Sequence, residues 1–221
     1  MSGHERFQAK PNDGAVGILA VQGDFELHAK MLDRMGVSWR LVKHAADLNE
    51  VERLIMPGGE STTMLRFFEE EGLGPAILDF ATEGKPIFGT CAGAILLAKE
   101  VLNPRQSHLG LIDITVERNA YGRQIDSALR RGTVEAEGES GLRAHDMDMV
   151  FIRAPIIRRI GEGVRVLGRS AGLPVLVEED NILAATFHPE LTEDTTIHRY
   201  FVSKQSPDLA GAGRRIQHGS L

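Results

Sequence analysis

A chain of 221 residues, 42% of them hydrophobic, has enough apolar side chain to bury a full core, and one α/β domain is the expectation. With 25 Lys and Arg against 31 Asp and Glu, the formal charge of -6 leaves no footprint for nucleic acid and no polybasic patch for a membrane, so small molecules or proteins are the expected partners. The single cysteine excludes an internal disulfide and a cysteine-rich metal site, and no apolar run approaches the ~20 residues of a membrane span.

Taken in chain order, residues 1–14 are polar, carry no apolar stretch of signal-peptide type, and read as a mobile extension in a protein of the reducing cytoplasm. The body spans 15–202. It opens with short apolar runs bounded by turn residues that alternate with amphipathic segments: VGILAV from Val16, a helix over 26–35, WRLV from Trp39, RLIM from Arg53, and a helix over 62–70. PIFG from Pro86 is another strand, followed by AGAILLAKEVL, apolar at helical length over 92–102. Such alternation predicts βαβ units around a buried parallel sheet. From Leu111 onward strand-like pieces dominate, namely IDITVE, MDMVFIRAP, VRVLGR, PVLVEE and NILAATFHP, so the sheet is expected to become mixed, with few helices. An amphipathic piece over 193–202 predicts a last helix packed back on the body, and 203–221 reads as a mobile tail.

The lone Cys91 stands in Gly89-Thr90-Cys91-Ala92-Gly93, a G-x-nucleophile-x-G pattern with strand before and helix after. Flanking glycines permit the tight turn of a nucleophile elbow, which lifts a side chain out at the carboxyl edge of a sheet. The helix amino terminus favours the thiolate, and the Ala92 N–H is placed to donate to a developing oxyanion. A free Cys more often serves as a small buried hydrophobe, and it is the glycines at a strand-to-helix junction that favour the nucleophile here. A thiol nucleophile needs a base, and Thr186-Phe187-His188-Pro189-Glu190 offers one. Pro189 biases His188 toward extended backbone, so His188 and Glu190 share a face and the carboxylate can orient the imidazole. A second oxyanion donor is expected from the glycines of Pro57-Gly58-Gly59-Glu60-Ser61, with Gly59 the candidate; the plainer reading is a strand-to-helix loop capped by Ser61 or Thr62.

GTCAGAILLA, PGGEST and TFHPELT together resemble the class I, triad-type glutamine amidotransferases. AVQGDFELH, RNAYGRQIDS over 118–127 and FIRAP over 151–155 are similar, more narrowly, to the glutaminase subunits of pyridoxal 5'-phosphate synthase, and the motifs run in order from Val16 to about Val202. The resemblance implies a three-layer, flavodoxin-like open α/β sheet, mostly parallel with antiparallel additions. It implies hydrolysis of L-glutamine to glutamate and ammonia by Cys91, His188 and Glu190 through a γ-glutamyl thioester, with no cofactor and no metal. Glutamine contacts carried over from the family fall on Gly59, Glu60, Ser61, Arg118, Ile152 and Arg153. An Arg fork suits the substrate carboxylate and Glu60 its ammonium, and the sequence leaves open which Arg serves. The implied partner is the barrel-shaped synthase subunit that consumes the ammonia, in a hetero-oligomer of twelve plus twelve subunits whose glutaminase activity depends on docking. Glutaminases of other biosynthetic amidotransferases, cysteine hydrolases of the DJ-1 type, and a docking module with an idle triad remain the alternatives.

Overall fold

The computed structural model describes residues 14–118, 127–135 and 142–205. Its first half alternates as the sequence predicts: β1 (Val16–Leu19), α1 (Phe25–Met35), β2 (Trp39–Val42), a 3-10 turn over Ala45–Glu50, β3 (Arg53–Met56), α2 (Ser61–Glu70), α3 (Leu73–Thr82), β4 (Ile87–Thr90) and α4 (Ala92–Leu97). Strands then take over: β5 (Ala98–Leu102), β6 (Ile112–Glu117), β7 (Ser127–Val134), β8 (His145–Ile152), β9 (Ile156–Ile160), β10 (Arg165–Ser170), β11 (Leu173–Glu179) and β12 (Ile182–Ala185), closed by α5 (Thr196–Ser203).

One nine-stranded sheet runs β2-β1-β3-β4-β12-β11-β10-β7-β8, and β5, β6 and β9 form a separate three-stranded sheet. Strands β2, β1, β3, β4 and β12 pair in parallel, whereas β11, β10, β7 and β8 continue the same sheet antiparallel. This is the expected mostly parallel flavodoxin-like order with antiparallel additions. The period of two along each central strand sorts its side chains into two cores. Leu54 and Met56, Ile87, and Ile182 and Ala184 face the core beneath α2, α3 and α4, while Ile55, Phe88, and Leu183 and Ala185 face the one beneath α1 and α5. Both faces are covered, which makes these strands apolar throughout.

One helix is shorter than expected. AGAILLAKEVL leaves α4 after Leu97, and Ala98 turns extended (φ -60, ψ 149) to pair in parallel with β6. Val101 still reaches the core from β5, so the apolar pattern is kept while the backbone changes type. The last helix begins three residues later than its amphipathic pattern, at Thr196. Except for residues 14 and 203–205, the two segments expected to be mobile lie outside the described residues, as does most of RNAYGRQIDS. Among the described residues no helix is long and apolar enough to cross a membrane.

Candidate active site

The carboxyl ends of β3, β4 and β12 lie side by side in the sheet, so the loops that follow them converge. Cys91 follows β4 directly, with φ 46 and ψ -99, a conformation costing about 1–3 kcal/mol for a residue with a Cβ. Its N–H is tied to Ala185 O of the neighbouring strand at 2.8 Å, which anchors the bend. The two glycines of the elbow have separate reasons. A Cβ at Gly89 would fall 2.6 Å from Gly93 C, and one at Gly93 would fall 2.1 Å from Met56 O, so only glycine lets α4 leave β4 this sharply. Within α4, Ile95 N–H is the first to bond back, to Cys91 O at 3.1 Å, and the Ala92 amide has no intrahelical acceptor.

His188 follows β12 and is anchored by its own N–H to Val150 O of β8 at 2.8 Å. Pro189–Leu191 forms a single 3-10 turn, which brings Glu190 back under the ring: His188 Nδ1 lies 2.7 Å from Glu190 Oε1. Both side chains are buried, at 3% and 0% exposure, so this contact is screened little by water. Nδ1 being committed, Nε2 is the ring nitrogen left for the thiol, and it has no other hydrogen-bond partner among the described residues. Burial opposes a charged His188, but hydrogen bonding and charge from Cys91 and then Glu190 outweigh it and raise the ring to about 10. Cys91 Sγ itself lies 3.7 Å from Ile152 O. Burial likewise pushes Glu190 up, and the His28 and His188 rings beside it more than reverse that, leaving the carboxyl below its ordinary value.

A cleft of about 290 Å³ lies over these groups, lined by Cys91 and His188 together with Gly59, Glu60, Ser61, Arg118, Ile152 and Arg153. The fold thus gathers every residue singled out in the sequence, with Glu190 behind His188 and Ala92 at the helix start. Details differ from expectation in one place. The cap of α2 is neither Ser61 nor Thr62 but Glu60, whose carboxylate accepts from Thr62 N at 3.3 Å and Thr63 N at 2.8 Å. Burial would raise its pKa, yet hydrogen bonds from the Thr62 and Thr63 side chains and amides bring it to about 2. Glu60 also faces Arg118 at 3.6 Å, so as it stands this carboxylate is occupied by the helix and the guanidinium.

Four residues were not singled out by sequence reasoning. Gln22 Oε1 accepts from Glu60 N at 2.7 Å and Asp24 N donates to Gly58 O at 3.1 Å, so the loop after β1 holds the glycine loop after β3. Both lie in AVQGDFELH, where a Gly between two strand-adjacent polar residues was the available signal. Gln106 accepts from Ser61 Oγ at 3.0 Å and also from Arg118, and nothing in its local sequence marks it. His28 sits behind Glu190, at 3.5 Å. Asp24, His188 and Glu190 place ligand-type atoms within 4.8 Å of one another, but His188 Nδ1 is already committed to Glu190 Oε1.

A sequence profile of the SNO glutamine amidotransferase family matches residues 18–206. The subunit named pyridoxal 5'-phosphate synthase subunit PdxT from Solibacter usitatus is 51% identical over 189 residues, covering 86% of this chain and 98% of its own. Its namesake from Thermus thermophilus is 49% identical over 200 residues, covering 90% and 98%. A solved structure described as a glutamine amidotransferase superposes with a TM-score of 0.78 at 47% identity, over 86% of this chain and 97% of its own. With a match spanning nearly the whole folded body, the chain belongs to the SNO glutamine amidotransferase family.

Proposed function

We propose that this chain hydrolyses L-glutamine to L-glutamate and ammonia, as the glutaminase subunit of a cytoplasmic pyridoxal 5'-phosphate synthase. The observation that carries the reading is a single one: the only cysteine is held on a strained bend in the cleft that His188 also lines, and the far nitrogen of that imidazole is locked by a buried carboxylate.

The chemistry follows from those positions. The Cys91 thiolate attacks the side-chain amide carbon, and the oxyanion is received by the N–H groups of Ala92 and Gly59. The carbon–nitrogen bond breaks as His188 gives its proton to the departing nitrogen, which leaves as ammonia, and a γ-glutamyl thioester remains. Water then gives a proton to His188 and attacks the thioester. The carbon–sulfur bond breaks, glutamate leaves, and the imidazolium–thiolate pair is restored. Glu190 stays ionised throughout and stabilises the imidazolium. Arg118 and Arg153, at the cleft wall, serve the substrate carboxylate, with Glu60, Ser61 and Ile152 completing the pocket.

Ammonia released into bulk water is protonated and diluted, so a coupled synthesis calls for a second subunit that receives it directly. The curated relatives bear the synthase's name, and the partner in this reading is the barrel subunit, joined in a hetero-oligomer of twelve plus twelve chains. The test is ammonia release from glutamine by this chain mixed with that barrel subunit. Cys91→Ala should lower it by about a thousandfold or more. Unchanged release would remove the nucleophile from the scheme.

A further inference from the structure

Behind the cleft lies a polar string that the scheme above does not use. His28, on the buried face of α1, and His198, on the buried face of α5, are both 0% exposed. His28 Nδ1 is 2.9 Å from His198 Nε2, and His28 Nε2 is 3.2 Å from Thr90 Oγ1, next in the chain to the nucleophile. The same Nε2 lies 3.5 Å from Glu190 Oε2, the oxygen turned away from His188. Phe88 meets both rings edge-on, at 6.4 and 5.8 Å between centroids, so the surroundings are otherwise apolar.

We propose that His28 is a positioning residue for the triad: as its Nε2–H tautomer it donates to Glu190 Oε2 and Thr90, fixing the carboxylate that orients His188. The kinetic consequence rests on the glutaminase reading, but the hydrogen-bond assignment does not. Two neutral tautomers are available to the His28–His198 pair. In one, His28 carries its proton on Nε2, facing Glu190, and accepts at Nδ1 from His198 Nε2–H. His198 Nδ1, which has no partner among the described residues, is then a bare acceptor. In the other, His28 turns a lone pair toward a carboxylate and His198 buries an unpaired N–H. A buried orphan donor is the rarer and costlier fault, and lone pair against carboxylate is repulsive. Glu190 Oε2 has no other hydrogen-bond partner among the described residues; the first arrangement turns an N–H toward it, whereas the second leaves it facing a lone pair and lets only the Thr90 hydroxyl meet that nitrogen. Burial lowers the pKa of both rings, in keeping with a neutral string. The groups facing Glu190 are His28 and His188, and Asp24 lies beyond, 3.8 Å from His188 Nδ1.

Three measurements test this. In the wild-type protein, spectra of nitrogen-15-labelled histidine should show His28 protonated on Nε2 and bare on Nδ1 between about pH 6 and 9. A proton on Nδ1, or an imidazolium, would overturn the assignment. The second compares His28→Gln, whose amide nitrogen reaches the place of Nε2, with His28→Asn, which reaches only that of Nδ1. In complex with the synthase subunit, His28→Asn should lose about tenfold in kcat at unchanged KM, and His28→Gln should stay within about threefold. Alkylation of the sole cysteine by iodoacetamide should follow the same order: the ratio of rates at about pH 6 and pH 9 falls in His28→Asn and holds in His28→Gln. Equal losses in both variants, or wild-type behaviour of a folded His28→Asn, would reduce His28 to core filling. Should the wild-type complex prove inactive on glutamine, the glutaminase reading fails while spectra and alkylation still decide the role of His28.

Discussion

A methyl group added at residue 58 would occupy the space of the His188 ring, 2.3 Å from Cε1. Gly58 is therefore a packing surface for the imidazole as well as part of a loop. Gly58→Ala should leave the fold in place, since the obstruction is one side chain at a cleft wall, but displace the ring from the thiol. We expect kcat for glutamine to fall by tenfold or more, at a thermal midpoint within a few degrees of wild type, because misplacement of about 1 Å at a catalytic group can cost 10²-fold. A wild-type kcat would show that the ring has another place to go. The elbow glycines were legible in the sequence from their spacing about Cys91. Gly58 was seen only as one of a pair, because what it accommodates arrives from 130 positions later in the chain, and local sequence carries no trace of that neighbour.

Among the elements, β4 carries two duties at once. Thr90 leads into the elbow, and Phe88, two residues back on the same face of the strand, packs on His28, His198 and Phe201. Fully buried, it holds α1 and α5 against the sheet from within. Phe88→Ala should cost about 3–5 kcal/mol, read as a lowered midpoint in urea unfolding, whereas a loss below 1 kcal/mol would mean that the helices close over the gap. The central strands were legible because both their faces are apolar. Strand β7 was not: its pattern over SALRRGTV is largely exposed, and what makes it a strand is its pairing on both sides, with β8 and β10. Helix α3 was hidden by Gly74 and Pro75, which read as turn residues but stand in its first turn, where proline is tolerated. The early end of α4 is a tertiary effect. Nothing in AKEVL forbids helix; pairing with β6 decides it.

For the molecule as a whole, the buried histidines give stability a defined dependence on pH. His188 is raised to about 10 by Cys91 and Glu190 against its burial, so folding binds a proton there. That contribution is full below the ordinary value of 6.5 and is lost as pH rises through about 10. His198 moves the other way, lowered to about 3 by burial and then by His28. Its neutral form is required, so its contribution is full above 6.5 and is lost as pH falls toward about 3. Stability should therefore be greatest near pH 6.5 and fall on both sides, with the alkaline fall weakened in His188→Gln and the acid fall weakened in His198→Phe. Urea midpoints across pH check this, and slopes unaltered by either substitution would contradict it.

The Cys91, His188 and Glu190 arrangement was readable because its parts obey local rules, an elbow between glycines and a His-Pro-Glu offset, whereas the residues that brace the cleft wall were not. Gln22 and Asp24 reach it from the loop after β1 and Gln106 from the loop after β5. The claim under all of this is that Cys91 carries the glutamyl group. Mass spectrometry of the complex, quenched in acid during turnover with glutamine, measures that directly. The account predicts one added glutamyl group, located at Cys91 and absent from Cys91→Ala. A glutamyl group on any other residue would contradict it.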